Sequence, residues 1–198
     1  MRPGALALLA LLAAPPAQAR EPTNWREIIS QRDHARLKDW RTTWVEALDQ
    51  ARAAGFGASI GAEGVLLHPD AALDGPDLPD GAYRCRTVKL GLASDQAPGA
   101  RAFAPSPPGQ CRVADGTLLR LDGSQRPGGR LHDYDGARLL FLGNMAVGDE
   151  PGATRYPRDA QRALAGLVER IGPARWRLVL PHPAWESRLE VMELVPAG

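Results

Sequence analysis

The chain has 198 residues, is 44% hydrophobic and 24% charged, and carries a formal net charge of +1. That length supports one domain with a real core. Its near-neutrality argues against a broad electrostatic surface for nucleic acid or anionic lipid.

Met1 to Ala19 reads as an export signal. Arg2 gives the positive start, Ala5 to Ala14 is an unbroken apolar run, and Ala17-Gln18-Ala19 is a small-x-small cleavage site. The run is too short for a permanent membrane helix. No cysteine follows the cleavage point, so no stable membrane anchor is expected once the signal is removed. Cleavage takes 19 of the 198 residues and leaves 179, starting near Arg20; with Arg2 gone, the formal charge falls from +1 to zero. The expected location is periplasmic or secreted.

Residues 20–81 read as a helical segment followed by a wrapping loop. Asn24 and Glu27 make an N-x-x-E start, and Trp25, Ile28 and Ile29 follow at helical spacing. Asp33 opens a second stretch. Leu37, Trp40, Trp44, Leu48 and Ala51 then line one face of an amphipathic helix, which Gly55 and Gly57 end. The tryptophan stripe is expected in the core. Residues 57–81 look irregular, with room for one helical turn at Val65-Leu66-Leu67. Gly57-Ala58-Ser59-Ile60-Gly61 matches G-x-S-x-G, but a helix rather than a strand precedes it, so a chance match is expected.

From residue 82 to 196 the pattern turns to strands. Eight are predicted: 82–92, 110–114, 117–121, 129–132, 138–143, 164–171, 175–181 and 188–195. Asp-Gly pairs at 115–116, 122–123 and 135–136 suit tight hairpins. Arg158 to Arg170 has helix-compatible Ala and Leu, but Gly166 and the Gly172-Pro173 link favour a strand in its second half. The expected fold is mainly β: an antiparallel meander closing into a small eight-stranded, lipocalin-like barrel, with the N-terminal helical segment packed against it as one unit.

Cys85 and Cys111 are the only cysteines and fall on the first two predicted strands. An exported chain with an even cysteine count favours a disulfide, here between directly opposed neighbours. Closing a loop of about 25 residues would stabilise the fold by roughly 3 kcal/mol on the chain-entropy model.

The polar cluster with most potential for binding is Arg84, Arg86, Lys89 and Arg112, followed by Ser124-Gln125-Arg126. Guanidinium, amide and hydroxyl donors of this kind suit an oxyanion ligand. Side chains bonded to the barrel rim are the structural alternative. Arginine is abundant against only Lys38 and Lys89, which fits either phosphate and carboxylate binding or a high-GC codon bias. Glu169, Glu186, Glu190 and Glu193 could supply a carboxylate pair for glycoside hydrolysis. His34, His68, His132 and His182 have no metal-ligand spacing, and no cofactor is expected.

Gly81 to Gly91 (GAYRCRTVKLG) resembles the signature of an exported alphaproteobacterial family catalogued as domain of unknown function 4893. Cys111-Arg112, Gly123 to Arg126, Phe141 to Gly143, Val168 to Gly172, Arg175 to Val179, Glu186-Ser187 and Glu193 to Pro196 are similar to its other motifs. The resemblance runs from about Trp25 to Pro196. It brings no activity or catalytic residues to transfer. Asp122 stands where that pattern prefers threonine.

Three functions follow from these readings. The first is a non-enzymatic barrel that binds a small ligand or an envelope component. The alternative is a protein-binding module such as a periplasmic protease inhibitor, presenting Arg20 to Thr23. The third is a hydrolase.

Overall fold

Capping side chains set where the first two helices begin. The computed structural model describes residues 24–93, 101–153, 155–183 and 185–198; the expected export signal at Met1–Ala19 and Arg20 to Thr23 lie outside the described residues. Asn24 accepts from the Arg26 amide and opens α1 (Trp25–Ile28). Ser30, not Asp33, starts α2 (Gln31–Lys38): its hydroxyl accepts from the Asp33 amide and donates to the Asp33 carboxylate at 2.7 Å. This is the exchange a capping residue offers to an otherwise unpaired N–H. Asp39 breaks the predicted single helix, so Trp40 opens α3 (Trp40–Ala53). Gly55, at φ +91°, closes α3, with Phe56 N–H bonded to Ala51 O and Gly55 N–H to Arg52 O. That is a Schellman stop, which favours glycine at the left-handed position.

Gly57 does not end a helix. It begins α4 (Gly57–Ala62), which leads into a 3-10 turn at Gly64–Leu67. Ser59 lies exposed on this short helix and not at a strand-to-helix elbow. Beyond it the wrapping loop crosses one end of the barrel. Leu73 bridges Arg170, and Leu78 is buried against the inner core.

The sheet contains β1 (Gly81–Leu90), β2 (Phe103–Pro105), β3 (Gly109–Ala114), β4 (Thr117–Arg120), β5 (Gln125–Asp135), β6 (Arg138–Val147), β7 (Ala163–Gly172), β8 (Arg175–Pro181) and β9 (Leu189–Pro196). All pairings are antiparallel, and β1 also pairs with β9. Eight strands therefore close into a barrel, while β2 adds to the end of β1 alongside Val88 to Leu90. All eight predicted strands are present, and Arg158–Arg170 has no helix. The Asp115-Gly116 hairpin takes positive φ at both residues, +50° and +66°, as a two-residue turn between twisted strands requires.

Side chains alternate across the barrel wall. Tyr83, Cys85, Cys111, Val113, Leu118, Phe141, Met145, Leu164, Val168, Trp176, Leu178, Met192 and Leu194 form the inner core. At the end crossed by the wrapping loop, Trp176 Nε1 donates to Asp77 O at 2.9 Å and the Tyr83 hydroxyl to Pro79 O at 2.6 Å. Their rings meet edge to face, 6.1 Å apart. This end is filled with side chains and sealed.

The helices cover the outside of β7, β8, β9 and the end of β1. Trp44 is fully buried there with Ala47, Leu48, Val179 and Val191, whereas Trp25 and Trp40 are only half-buried. Gly91, at φ +64°, lets α3 approach closely: a Cβ there would lie 3.1 Å from Ala47 Cα.

Beneath this cover a row of alternating charge crosses five strands. Register places Arg86 beside Glu193, Glu193 beside Arg177, Arg177 beside Glu169, and Glu169 beside Arg138. Arg177 and Glu169 are wholly buried and joined at 2.6 Å. Arg177 also donates to the carbonyls of Val65, Leu66, His68 and Pro69, and lies 4.5 Å from the Trp44 ring centre.

Cys85 and Cys111 are bonded, with Cα atoms 5.9 Å apart. They are not directly opposed. Cys111 faces Tyr83 and Cys85 faces Gly109, so the bond runs along a diagonal that strand twist brings close.

Replacing both cysteines by serine is expected to lower stability by about 3 kcal/mol, read by calorimetry as a Tm loss of about 6–12 °C. Arg177→Ala strands a buried carboxylate and should cost about 3–5 kcal/mol in urea unfolding. Arg177→Met with Glu169→Leu should recover part of that loss, because the pair is removed together while the 65–69 carbonyls still lose their donor.

Candidate functional site

The opposite end of the barrel differs from the sealed one. Several of its inward positions are polar, Thr87 and Lys89 on β1, Arg120 on β4, Gln125 on β5 and Glu190 on β9, beside the apolar Met145 and Val147 on β6. Glu186 and Ser187 come from the β8–β9 link. Lys89 and Glu190 are directly opposed in register. Lys89 Nζ donates to Gln125 Oε1 at 2.8 Å and to the Glu186 carboxylate, and lies 3.8 Å from Glu190 Oε1. Gln125 Nε2 donates to the other Glu186 oxygen at 3.2 Å. The Ser187 hydroxyl donates to Glu190 Oε1 at 3.3 Å.

On the adjacent wall, Arg120 Nη1 donates to Thr87 Oγ1 at 3.0 Å and Arg120 Nε to Asp122 O at 3.1 Å. Asp122 in turn accepts from the Gln110 amide at 2.8 Å, which fixes the start of β3. The Thr87 amide donates to Ser106 Oγ at 2.9 Å, so the segment after β2 contributes a hydroxyl to the same rim.

Burial grades across this ring. The Glu186 side chain is 42% exposed, Lys89 21% and Glu190 6%. Burial pushes the Glu190 carboxyl above its ordinary value of 4.5, against the opposing pull of Lys89 and the Ser187 hydroxyl. The mouth therefore combines a fixed cation, an accessible carboxylate, a primary amide and a deeper carboxyl that tends to hold its proton. One layer below lie Thr87 and Met192, paired across β1 and β9, and then the disulfide.

Of the seven residues singled out in the sequence, Lys89 and Gln125 are in this cluster. Arg84, Arg86 and Arg112 have the opposite parity and point outward. Arg86 is committed to Glu63 and Glu193, at 3.0 and 2.7 Å, and these contacts raise its pKa against the effect of burial. Arg126 also points outward. It donates to Gly123 O at 2.7 Å, Gly148 O at 2.6 Å and Glu150 O, clamping the ends of β5 and β6. Ser124 is exposed in the preceding turn.

The four glutamates separate in the same way: Glu169 and Glu193 belong to the outer charge row, and Glu186 and Glu190 to the mouth. Arg120, Thr87 and Ser187 were missed. Strand parity places Arg120 on the same inner wall as Cys111, its direct neighbour in register, and would have found it.

A family model described as domain of unknown function (DUF4893) matches residues 25–194. The chain belongs to that family. No curated protein and no solved structure matches it. Of the family signature read in the sequence, Lys89, Gln125, Glu186 and Ser187 meet at the mouth, although they come from three separate segments. Among the described residues no helix is long and apolar enough to cross a membrane.

The raised Glu190 pKa sets the sign of a pH effect. Its folded value lies above its unfolded one, so its contribution is fully present below the unfolded pKa and is lost as pH rises through the folded pKa. Glu190→Gln keeps an acceptor for Ser187 but cannot ionise. The stability of this variant relative to the parent should therefore rise as pH increases above about 4.5, in urea unfolding series from pH 4 to 8.

Proposed function

We propose that this protein works outside the cytoplasm, in the periplasm or as a secreted chain, as a non-enzymatic barrel that holds a small polar ligand in its open mouth. The Met1–Ala19 export pattern and the Cys85–Cys111 bond support the location. One observation carries the binding reading: Lys89, Gln125, Glu186 and Glu190 converge inside one end of a barrel whose other end is filled by Trp176 and Tyr83. A long apolar ligand would have to displace that core. A compact ligand rich in hydroxyl and amide groups meets donors and acceptors of both kinds at the rim, as cell-wall sugars and peptides would.

A second reading has its own support. Glu186 is accessible and Glu190 is buried with a raised pKa, and both lie against Lys89. Two carboxyls held at different protonation tendencies are the raw material of acid–base hydrolysis.

A thermal-shift panel of N-acetylated saccharides and short cell-wall peptides tests the first reading. A ligand at ten times its Kd should raise Tm by about 3–6 °C, and Lys89→Met or Gln125→Ala should reduce the shift. Product formation by the parent that Glu190→Gln abolishes would favour the second reading. If no panel member shifts the parent, or if hits ignore both mouth variants, the mouth is not the binding site.

A further inference from the structure

The outer wall left bare by the helices has an unusual charge distribution. Its outward positions are Ala82 and Arg84 on β1, Gln110 and Arg112 on β3, Thr117 and Leu119 on β4, and Arg130 on β5, as the register places them. These positions hold three arginines and no carboxylate. Arg84, Arg112 and Arg130 are exposed and have no hydrogen bond or ion pair among the described residues. Elsewhere Arg36, Arg86, Arg138, Arg162, Arg175 and Arg177 each contact a carboxylate, while the exposed Arg101, Arg155 and Arg158 are scattered and also lack an ion pair among the described residues. The neutral overall charge hides this local excess.

Apolar side chains sit among the free cations. Leu119 lies directly beside Arg112 in register and is 38% exposed, and Leu121, just past β4, is 51% exposed. The barrel wall is convex here and its backbone hydrogen bonds are satisfied by strand closure. Apart from β2, which pairs only with β1, it presents side chains rather than a free strand edge. Guanidinium forks flanking aliphatic side chains on a convex surface match the phosphates and upper acyl region of an anionic bilayer.

We propose that the outer face of β1, β3, β4 and β5 docks this protein reversibly on an anionic membrane surface through Arg84, Arg112 and Arg130, with Leu119 and Leu121 entering the interface. The contact is peripheral. It does not depend on what the mouth binds.

The test is co-sedimentation of the full disulfide-bonded protein with sucrose-loaded vesicles, either pure phosphatidylcholine or phosphatidylcholine with about a third phosphatidylglycerol. Binding is expected to the anionic vesicles only and to weaken as salt rises from 0.1 to 0.5 M. Each arginine should contribute roughly fivefold, so Arg84→Gln/Arg112→Gln/Arg130→Gln should lower the partition coefficient on the order of 100-fold. The three side chains are exposed, so the melting temperature of this variant should match that of the parent, which reports its folding directly. Leu119→Ser/Leu121→Ser should weaken binding with the salt dependence retained. Arg41→Gln/Arg52→Gln, on the helical side, should bind like the parent. Equal binding to both vesicle types, or anionic binding that the triple variant retains, overturns the proposal. Capture by polyglutamate with no vesicle binding also overturns it and assigns the face to an acidic protein.

Discussion

A single buried guanidinium holds the two parts of this protein together. Arg177 sits on the outer wall of the barrel at zero exposure, where an unpaired cation would be very costly. Glu169 neutralises it from the neighbouring strand, and the remaining N–H groups reach the carbonyls of residues 65–69. Those carbonyls end or follow the 3-10 turn, and only Val65 O also accepts a backbone bond there, from the His68 amide at 3.3 Å. The helical segment thus satisfies the cation, and the cation satisfies the turn. Neither could be buried alone without leaving polar atoms unpaired.

The position of that contact has consequences for the rest of the barrel. Because Arg177 points outward, parity along β8 sends Trp176 and Leu178 inward, where they fill the sealed end. The helices cover the outer wall around Arg177, so β6 to β9 and the end of β1 are sheltered, Trp25 reaches Asp133 and Tyr134 on β5, and β3 and β4 stay open to solvent. The same alternation along β1 and β9 puts Arg86 and Glu193 outside, Lys89 and Glu190 inside. Structural and site charges are therefore sorted by strand register rather than by residue type.

This sorting explains what the sequence did and did not reveal. Eight strands were legible because β-branched and apolar runs alternate with Asp-Gly and Gly-Pro punctuation. β2 was not, because Phe103-Ala104-Pro105 is short and followed by Pro107-Pro108, a composition that argues for loop. Asp39 interrupts a helical face whose apolar period continues unbroken through the break, so periodicity alone could not locate it. Within the site, Lys89 and Gln125 were found by chemistry, but Arg84, Arg86 and Arg112 were grouped with them by proximity. Odd and even positions on β1 already separate Arg84 and Arg86 from Lys89, and alternation on β3 sends Arg112 to the face opposite Cys111. Glu186 and Ser187 could not be placed by parity, because they reach the mouth from a link and not from a strand.

The disulfide joins the structural and functional layers. Cys111 faces Arg120 across β3 and β4, and Cys85 lies one inward step below Thr87 on β1. Thr87 and Arg120 are hydrogen-bonded to each other at the rim. The covalent link therefore fixes the spacing of β1 and β3 directly beneath the wall that carries Lys89 on one side and Arg120 on the other. In a barrel whose polar end has charged side chains where the other end has Trp176 and Tyr83, packing alone defines that spacing less tightly. A cross-link just below the mouth compensates where the apolar core stops.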